Sequence, residues 1–176
     1  MKKSFALIGL VILACAAFVV SCDDDEPTKA PEESLLINDY QGLTIGSSQH
    51  FQGLVDPERQ TDIVTVAAST VNSSNFDVTY DSPYWGKATF KNVKATKFAN
   101  AWTFSDAEGV ISMPRRTPGT TEVTYNEYPA TLTNSQVVLS TGKGDVTTAT
   151  FTVNANLGER AGIYTLLFTS PKPELK

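Results

Sequence analysis

The chain has 176 residues, 41% hydrophobic and 19% charged, with a net charge of −5 and a pI near 4.8. So acidic a chain, with no basic stripe, repels phosphate backbones and excludes nucleic acid as a partner. Two cysteines and one histidine are too few for a thiolate cluster or a typical zinc site, so neither cofactor nor metal is expected.

The N-terminus has the three parts of a secretory signal peptide in order. Lys2 and Lys3 come first, then FALIGLVILACAAFVV from Phe5 to Val20, then Ser21, Cys22 and the acidic run Asp23, Asp24, Asp25, Glu26. The apolar stretch is shorter than the roughly 20 residues that a membrane-spanning helix needs. Val19-Val20-Ser21-Cys22 resembles the lipobox cut by lipoprotein signal peptidase. Ile12-Leu13-Ala14-Cys15 has the same spacing, but cutting there would leave an apolar stub. Cutting at Cys22 puts charged sequence directly outside the lipid. Residues 1–21 are therefore expected to be removed and Cys22 to be the lipidated N-terminus. Removing Lys2 and Lys3 from 14 basic residues leaves 12 against 19 acidic ones, a net charge of −7. Residues 22–34 form a Pro-containing acidic tether that is expected to be disordered. An acidic stretch behind a lipidated cysteine resembles the export signal of Bacteroidetes surface lipoproteins. That resemblance implies an outer-membrane, cell-surface location.

From residue 35 to 176 the chain is expected to form one domain with its own core. Apolar residues recur there at period two. In order, strands are expected at 48–55, 61–69, 75–80 and 85–93. A short strand from Trp102 to Phe104 precedes or joins one at 109–113. Then follow 121–125, 129–140 (bent near Asn134), 146–155 and 162–169. Phe76, Val78 and Tyr80 share one face of NFDVTY, with Asp77 and Thr79 on the other. Ala88 and Phe90 oppose Lys87, Thr89 and Lys91, while Ala149, Phe151 and Val153 oppose Thr148, Thr150 and Thr152. Turn residues separate the strands: Asn72-Ser73-Ser74, Asp81-Ser82-Pro83, Pro118-Gly119, Gly158, and a hairpin at Gly142-Lys143-Gly144-Asp145. No helix longer than a turn or two is expected.

The domain is thus all-β, a roughly eight-stranded antiparallel up-and-down barrel, with a β-sandwich as the alternative. The succession DIVTVAAS, NFDVTYDS, WGKATFKNV, TATFTVNA and IYTLLFTS resembles the calycin-like barrels of gut Bacteroidetes lipoproteins. The resemblance spans about 120 residues, from Gln49 to Ser170. Lipocalins carry Gly-x-Trp on their first strand, and Gln49–Val55 does not.

No catalytic signature is present, and the chain is not expected to be an enzyme. His50, beside Ser47 and Ser48, lacks the G-x-S-x-G elbow of a hydrolase. Asp77 with Asp81, and Glu122 with Glu127, are carboxylate pairs of the kind that cleave glycosides, but such strand acids normally face solvent. The ligand-binding candidates are Tyr84, Trp85 and Trp102, whose rings can stack on a sugar or line a barrel mouth. Arg115 and Arg116, in an expected exposed loop from Met113 to Gly119, can clamp an anion.

The expected function is a membrane-anchored, exported, non-enzymatic binding module for a small apolar ligand, a lipid or a glycan. The alternative is a structural or accessory outer-membrane lipoprotein that acts by contact with a protein partner. Whether side chains fill the barrel separates the two.

Overall fold

Alternating residues place one face of each strand against water and the other against a shared interior, and in this chain they do so all the way round. The computed structural model describes residues 36–48, 52–53, 61–116, 118–139 and 146–171. The signal peptide, Cys22, the tether, His50, the Arg116 side chain and the loop at 142–145 lie outside the described residues.

Eleven strands are described: β1 Asn38–Ser48, β2 Gln52–Gly53, β3 Asp62–Ala68, β4 Phe76–Ser82, β5 Gly86–Val93, β6 Ala95–Phe98, β7 Ala101–Phe104, β8 Ala107–Arg116, β9 Val123–Leu139, β10 Val146–Asn156 and β11 Ile163–Ser170. Eight of them, β1, β3, β4, β5, β8, β9, β10 and β11, pair in chain order, every pair antiparallel. Pairing of β11 with β1 closes the ring. The result is an up-and-down barrel with no free edge among those eight strands.

The other strands extend this frame. β2 adds two pairs to the end of β1. β6 and β7 continue the β5–β8 hairpin, since Ala95↔Phe104 keeps the register of Lys87↔Ser112. The Ser105 amide donates to Lys94 O at 2.8 Å and bridges the gap. This long hairpin turns at Ala99-Asn100 and overhangs the end of the barrel where Leu36 leads into β1. We call that end proximal. The β8–β9 hairpin overhangs the opposite, distal end, because β8 pairs with β5 only as far as Ser112 and β9 with β10 only as far as Ala130. Pro114 and Pro129 both lie just beyond those limits, where a missing N–H removes no ladder bond.

Side chains fill the interior. Phe151 packs against Tyr40, Phe104 and Phe168 at ring-centroid distances of 5.8, 5.5 and 6.1 Å, and Phe104 meets Phe76 at 6.0 Å. Tyr80, Phe90, Val64, Ile111 and Leu132 are fully buried among them. Leu36, Trp102, Phe104 and Leu139 close the proximal end. The Tyr40 hydroxyl holds Leu36 there by donating to its carbonyl at 2.9 Å. The outer wall carries Lys87, Lys91, Asp81, Glu108 and Glu127, all exposed. A barrel that crosses a membrane with its strands needs an apolar outer band instead. This wall is mixed, with Ile45, Val110 and Leu167 exposed among the charges.

The structure corrects several expected boundaries. A first strand at Asn38–Ser48 was not expected. Within the expected strand at 48–55, Ser48 and Gln52–Gly53 are strand, and 49–51 and 54–55 lie outside the described residues. The β1 glycines at 42 and 46 are contact points. The segments 121–125 and 129–140 are one strand, β9. The bend near Asn134 is real: Asn134 has φ 45°, and the β9–β10 register slips beside it. Trp102–Phe104 does join the strand at Gly109, through the register described above. β6 was not expected at all.

Two buried phenols link this core to pH. Burial pushes the Tyr40 phenol up to about 12. Burial, and then the negative charge of Asp62, pushes Tyr80 up as well. A raised folded-state pKa means that the folded protein holds the proton more tightly than the unfolded chain. The associated stability is complete below the unfolded value near 10 and is lost as pH rises beyond it. The unfolded phenols are only half-ionised at pH 10, so each contributes about 1 kcal/mol over the next pH unit, and stability should fall by roughly 2 kcal/mol between pH 10 and 11. Urea titrations at each pH measure the loss, and absorbance at 295 nm should show both phenols ionising only with unfolding. Ionisation of all six tyrosines with unchanged circular dichroism would show that neither ring is sealed in.

Candidate functional site

The distal end is built from the turn between β4 and β5, facing the overhanging β8–β9 hairpin. Ser82 shapes the turn: its Oγ accepts the amides of Tyr84 at 3.3 Å and Trp85 at 3.1 Å. Serine hydroxyls commonly organise turns in this way. Gly86, at φ 100°, brings the chain back into β5. The turn directs Trp85 inward, where it is 6% exposed, and leaves Tyr84 half in solvent.

Trp85 is wedged between rings. Its centroid lies 4.7 Å from that of Tyr84, nearly edge-on at 81°, and 5.4 Å from that of Tyr164. Gly46 supplies the room, since a Cβ there would lie 2.6 Å from the indole Cη2 and 2.9 Å from Tyr164 Cε1. The indole Nε1 has no hydrogen-bond partner among the described residues. Buried donors are seldom left in that state. Across the turn, Pro83, Tyr84 and Trp85 face Met113 and Pro114, and the five line a recess of about 250 Å³. Arg115 is exposed on the next residue of β8, making no ion pair among the described residues. Tyr128, Leu157 and Tyr164 are partly buried against the core. Burial raises the pKa of Tyr164, and Tyr84 adds to the shift.

Beneath this rim sits a small polar layer. Tyr80 donates to Thr44 Oγ1 at 3.0 Å, and Thr44, Asp62 and Ser82 are all buried. The Tyr80–Thr44 bond ties β1 to β4 across the interior.

Of the residues singled out from sequence, Tyr84 and Trp85 line the recess, while Arg115 and Arg116 follow Pro114 on β8 at the same end, outside its lining. The structure separates Trp102, which belongs to the proximal closure at the other end of the barrel. One site cannot use both tryptophans. Met113 to Arg116 are strand, not loop; the turn lies at Pro118-Gly119. The carboxylate pairs do not form sites either. Asp81 pairs with Lys87 at 3.0 Å, and Asp77 accepts the Asn92 amide at 2.9 Å where β5 bulges. Among the described residues no three potential metal ligands converge. Sequence reading missed Gly46 and Tyr164. Tyr164 alternates with Leu166 and Phe168 and so was legible as inward-facing, but nothing local links it to Trp85.

Fold and rim together define the class: a closed, eight-stranded, up-and-down β-barrel with a packed interior and an aromatic recess at one end. In comparisons with known proteins, no protein family matches the chain, and no curated protein matches its sequence. The chain is similar in structure to a "putative outer membrane protein" from Bacteroides fragilis, with 18% sequence identity and a TM-score of 0.50. The match covers 78% of this chain and 44% of that one, so this chain spans less than half of its structural relative. At that identity the likeness concerns the fold alone.

Proposed function

We propose that this chain is a membrane-anchored, exported recognition module that binds a glycan at the distal rim of its barrel and catalyses no reaction. One observation carries the reading: the interior is full, while a recess walled by Tyr84, Trp85 and Met113 is open at the end opposite the N-terminal approach. An apolar ligand inside the barrel has no room near Phe151, so binding moves to the rim. Aromatic faces suit sugar rings, because they offer a wide contact at low entropy cost. Arg115 adds a fixed charge for an acidic sugar. The sequence features at Val19–Glu26 support the anchor and its surface display, and the name of the structural relative agrees with an outer-membrane location.

The experiment is a fluorescence titration of the domain from residue 35 with soluble bacterial and host polysaccharides. The chain has two tryptophans, and only Trp85 adjoins the recess. A bound glycan should change Trp85 emission, and Tyr84→Ala should weaken binding about tenfold, the value of roughly 1–1.5 kcal/mol for a lost ring contact. Undiminished binding by Tyr84→Ala, or no response to any glycan, would remove the rim from consideration. A second reading, contact with a protein partner, is favoured by the groove on the outer wall where Lys87 and Lys91 face Glu108 and Glu127.

A further inference from the structure

The two most exposed large apolar side chains of the described residues are Phe98, at 83%, and Val71, at 70%. Both lie at the proximal end, and Ile37, 48% exposed, lies there too. They follow one another around the rim. Ile37 enters β1, which pairs with β3; the β3–β4 loop carries Val71; β4 pairs with β5, whose extension β6 ends at Phe98.

These tips are held in shape by hydrogen bonds. Phe98 precedes the two-residue turn Ala99-Asn100. Asn100 ties that turn to β9, with its Nδ2 donating to Leu139 O at 3.1 Å and its carbonyl accepting the Leu139 amide at 2.8 Å. In the β3–β4 loop the Val71 amide donates to Ser69 Oγ at 3.2 Å, and the Ser69 amide donates to Asn75 O at 2.9 Å. Ordered turns therefore present apolar groups to solvent, an arrangement with a cost unless something covers them. Lys94 and Lys97, both exposed, precede Phe98 on the same overhang in a protein of net negative charge.

We propose that the proximal end of the barrel rests on a lipid surface, with Phe98, Val71 and Ile37 entering its interfacial layer and Lys94 and Lys97 facing anionic headgroups. Apolar tips beside basic residues are the chemistry of interfacial binding. The position of the remaining chain selects this occupant over others. Residues 23–35 lead from Cys22 to Leu36 at this same end, with a reach of at most roughly 45 Å. A lipid on Cys22 therefore keeps the proximal face within reach of the bilayer, and the contacts of Phe98, Val71 and Ile37 then turn the Tyr84–Trp85 rim outward. The proposal rests on the anchor within the reading above and not on the glycan site.

The test uses the full-length lipidated protein in vesicles of phosphatidylethanolamine and phosphatidylglycerol. Cys22 is the mature chain's one native cysteine and lipid blocks its thiol, so Phe98→Cys, Val71→Cys and, as a distal control, Tyr84→Cys each give a single labelling site at an exposed position. An NBD label at 98 or 71 should shift to the blue, lose emission with brominated acyl chains and resist iodide; a label at 84 should do none of these. Equal iodide access at 98 and 84 would overturn the proposal. So would protection from iodide at 98 without brominated-lipid quenching, which would indicate a protein cover. Failure of the unlabelled protein to float with vesicles would overturn the anchor and this proposal together, leaving glycan binding by the separate domain to stand on its own titration.

Discussion

Phe151→Ala should destabilise the domain by about 3–5 kcal/mol, the range for removing a buried phenylalanine from a packed core. Phe151 has no solvent exposure and touches rings from β1, β7 and β11 at 5.5–6.1 Å. Its removal opens a void in the middle of the barrel that three separate strands would have to close at once. Barrel strands are held in register by their ladders, so little collapse is available and the upper half of the range applies. Lys91→Ala, an exposed change on the outer wall, should cost under about 0.5 kcal/mol. Denaturant titration of the domain from residue 35 gives both values. A loss below about 1.5 kcal/mol for Phe151→Ala would mean a loosely filled interior, and would restore the lumen as a ligand site. Asp77 is a poorer control than its exposed alternation suggests. Its carboxylate holds the Asn92 amide at the bulge, so Asp77→Ala should cost more than Lys91→Ala.

Gly42→Val should be at least as damaging, for a different reason. β1 pairs with β3 through Asn38 to Gly42, then with β11 from Leu43 onward. Gly42 is the point where the strand changes partners and the barrel closes. A Cβ there would lie 2.2 Å from the Thr169 carbonyl oxygen and 2.8 Å from Phe168 Cζ. Backbone atoms of a paired strand cannot step aside as a flexible side chain can. The cost should therefore exceed the roughly 1–3 kcal/mol of ordinary overpacking, and the β1–β11 seam should open first. Amide hydrogen exchange reads this directly: protection should fall along β1 and β11 while β4 and β5 keep theirs. Uniform loss across the barrel would show that closure is not a separable step. Unchanged stability would contradict the close approach.

The inward faces were legible in the sequence because period two is a local property. Phe76, Val78 and Tyr80, or Ala149, Phe151 and Val153, need only the pleat of their own strand to point the same way. Where the local signal was mixed, as in Asn38–Ser48, it failed. Gly42 and Gly46 are breakers by sequence, yet each is required by a neighbour more than 35 residues away in the chain: Thr169 for one, Trp85 for the other. The expected break between 121–125 and 129–140 likewise vanishes in β9, where Pro129 is tolerated because it lies beyond the reach of β10.

The candidate site divides in the same manner. Sequence by itself determined an all-β chain, the residues that would fill its interior, and the aromatic and arginine side chains worth examining. Only the tertiary structure decided that Tyr84, Trp85 and Arg115 share the distal rim while Trp102 seals the proximal end, and that the lumen is occupied. The physical reason is that alternation states which side of a strand a residue faces, but not which end of the barrel it reaches. That depends on pairing registers between distant segments, here the continuous register that carries β5–β6 and β7–β8 past one end and β8–β9 past the other.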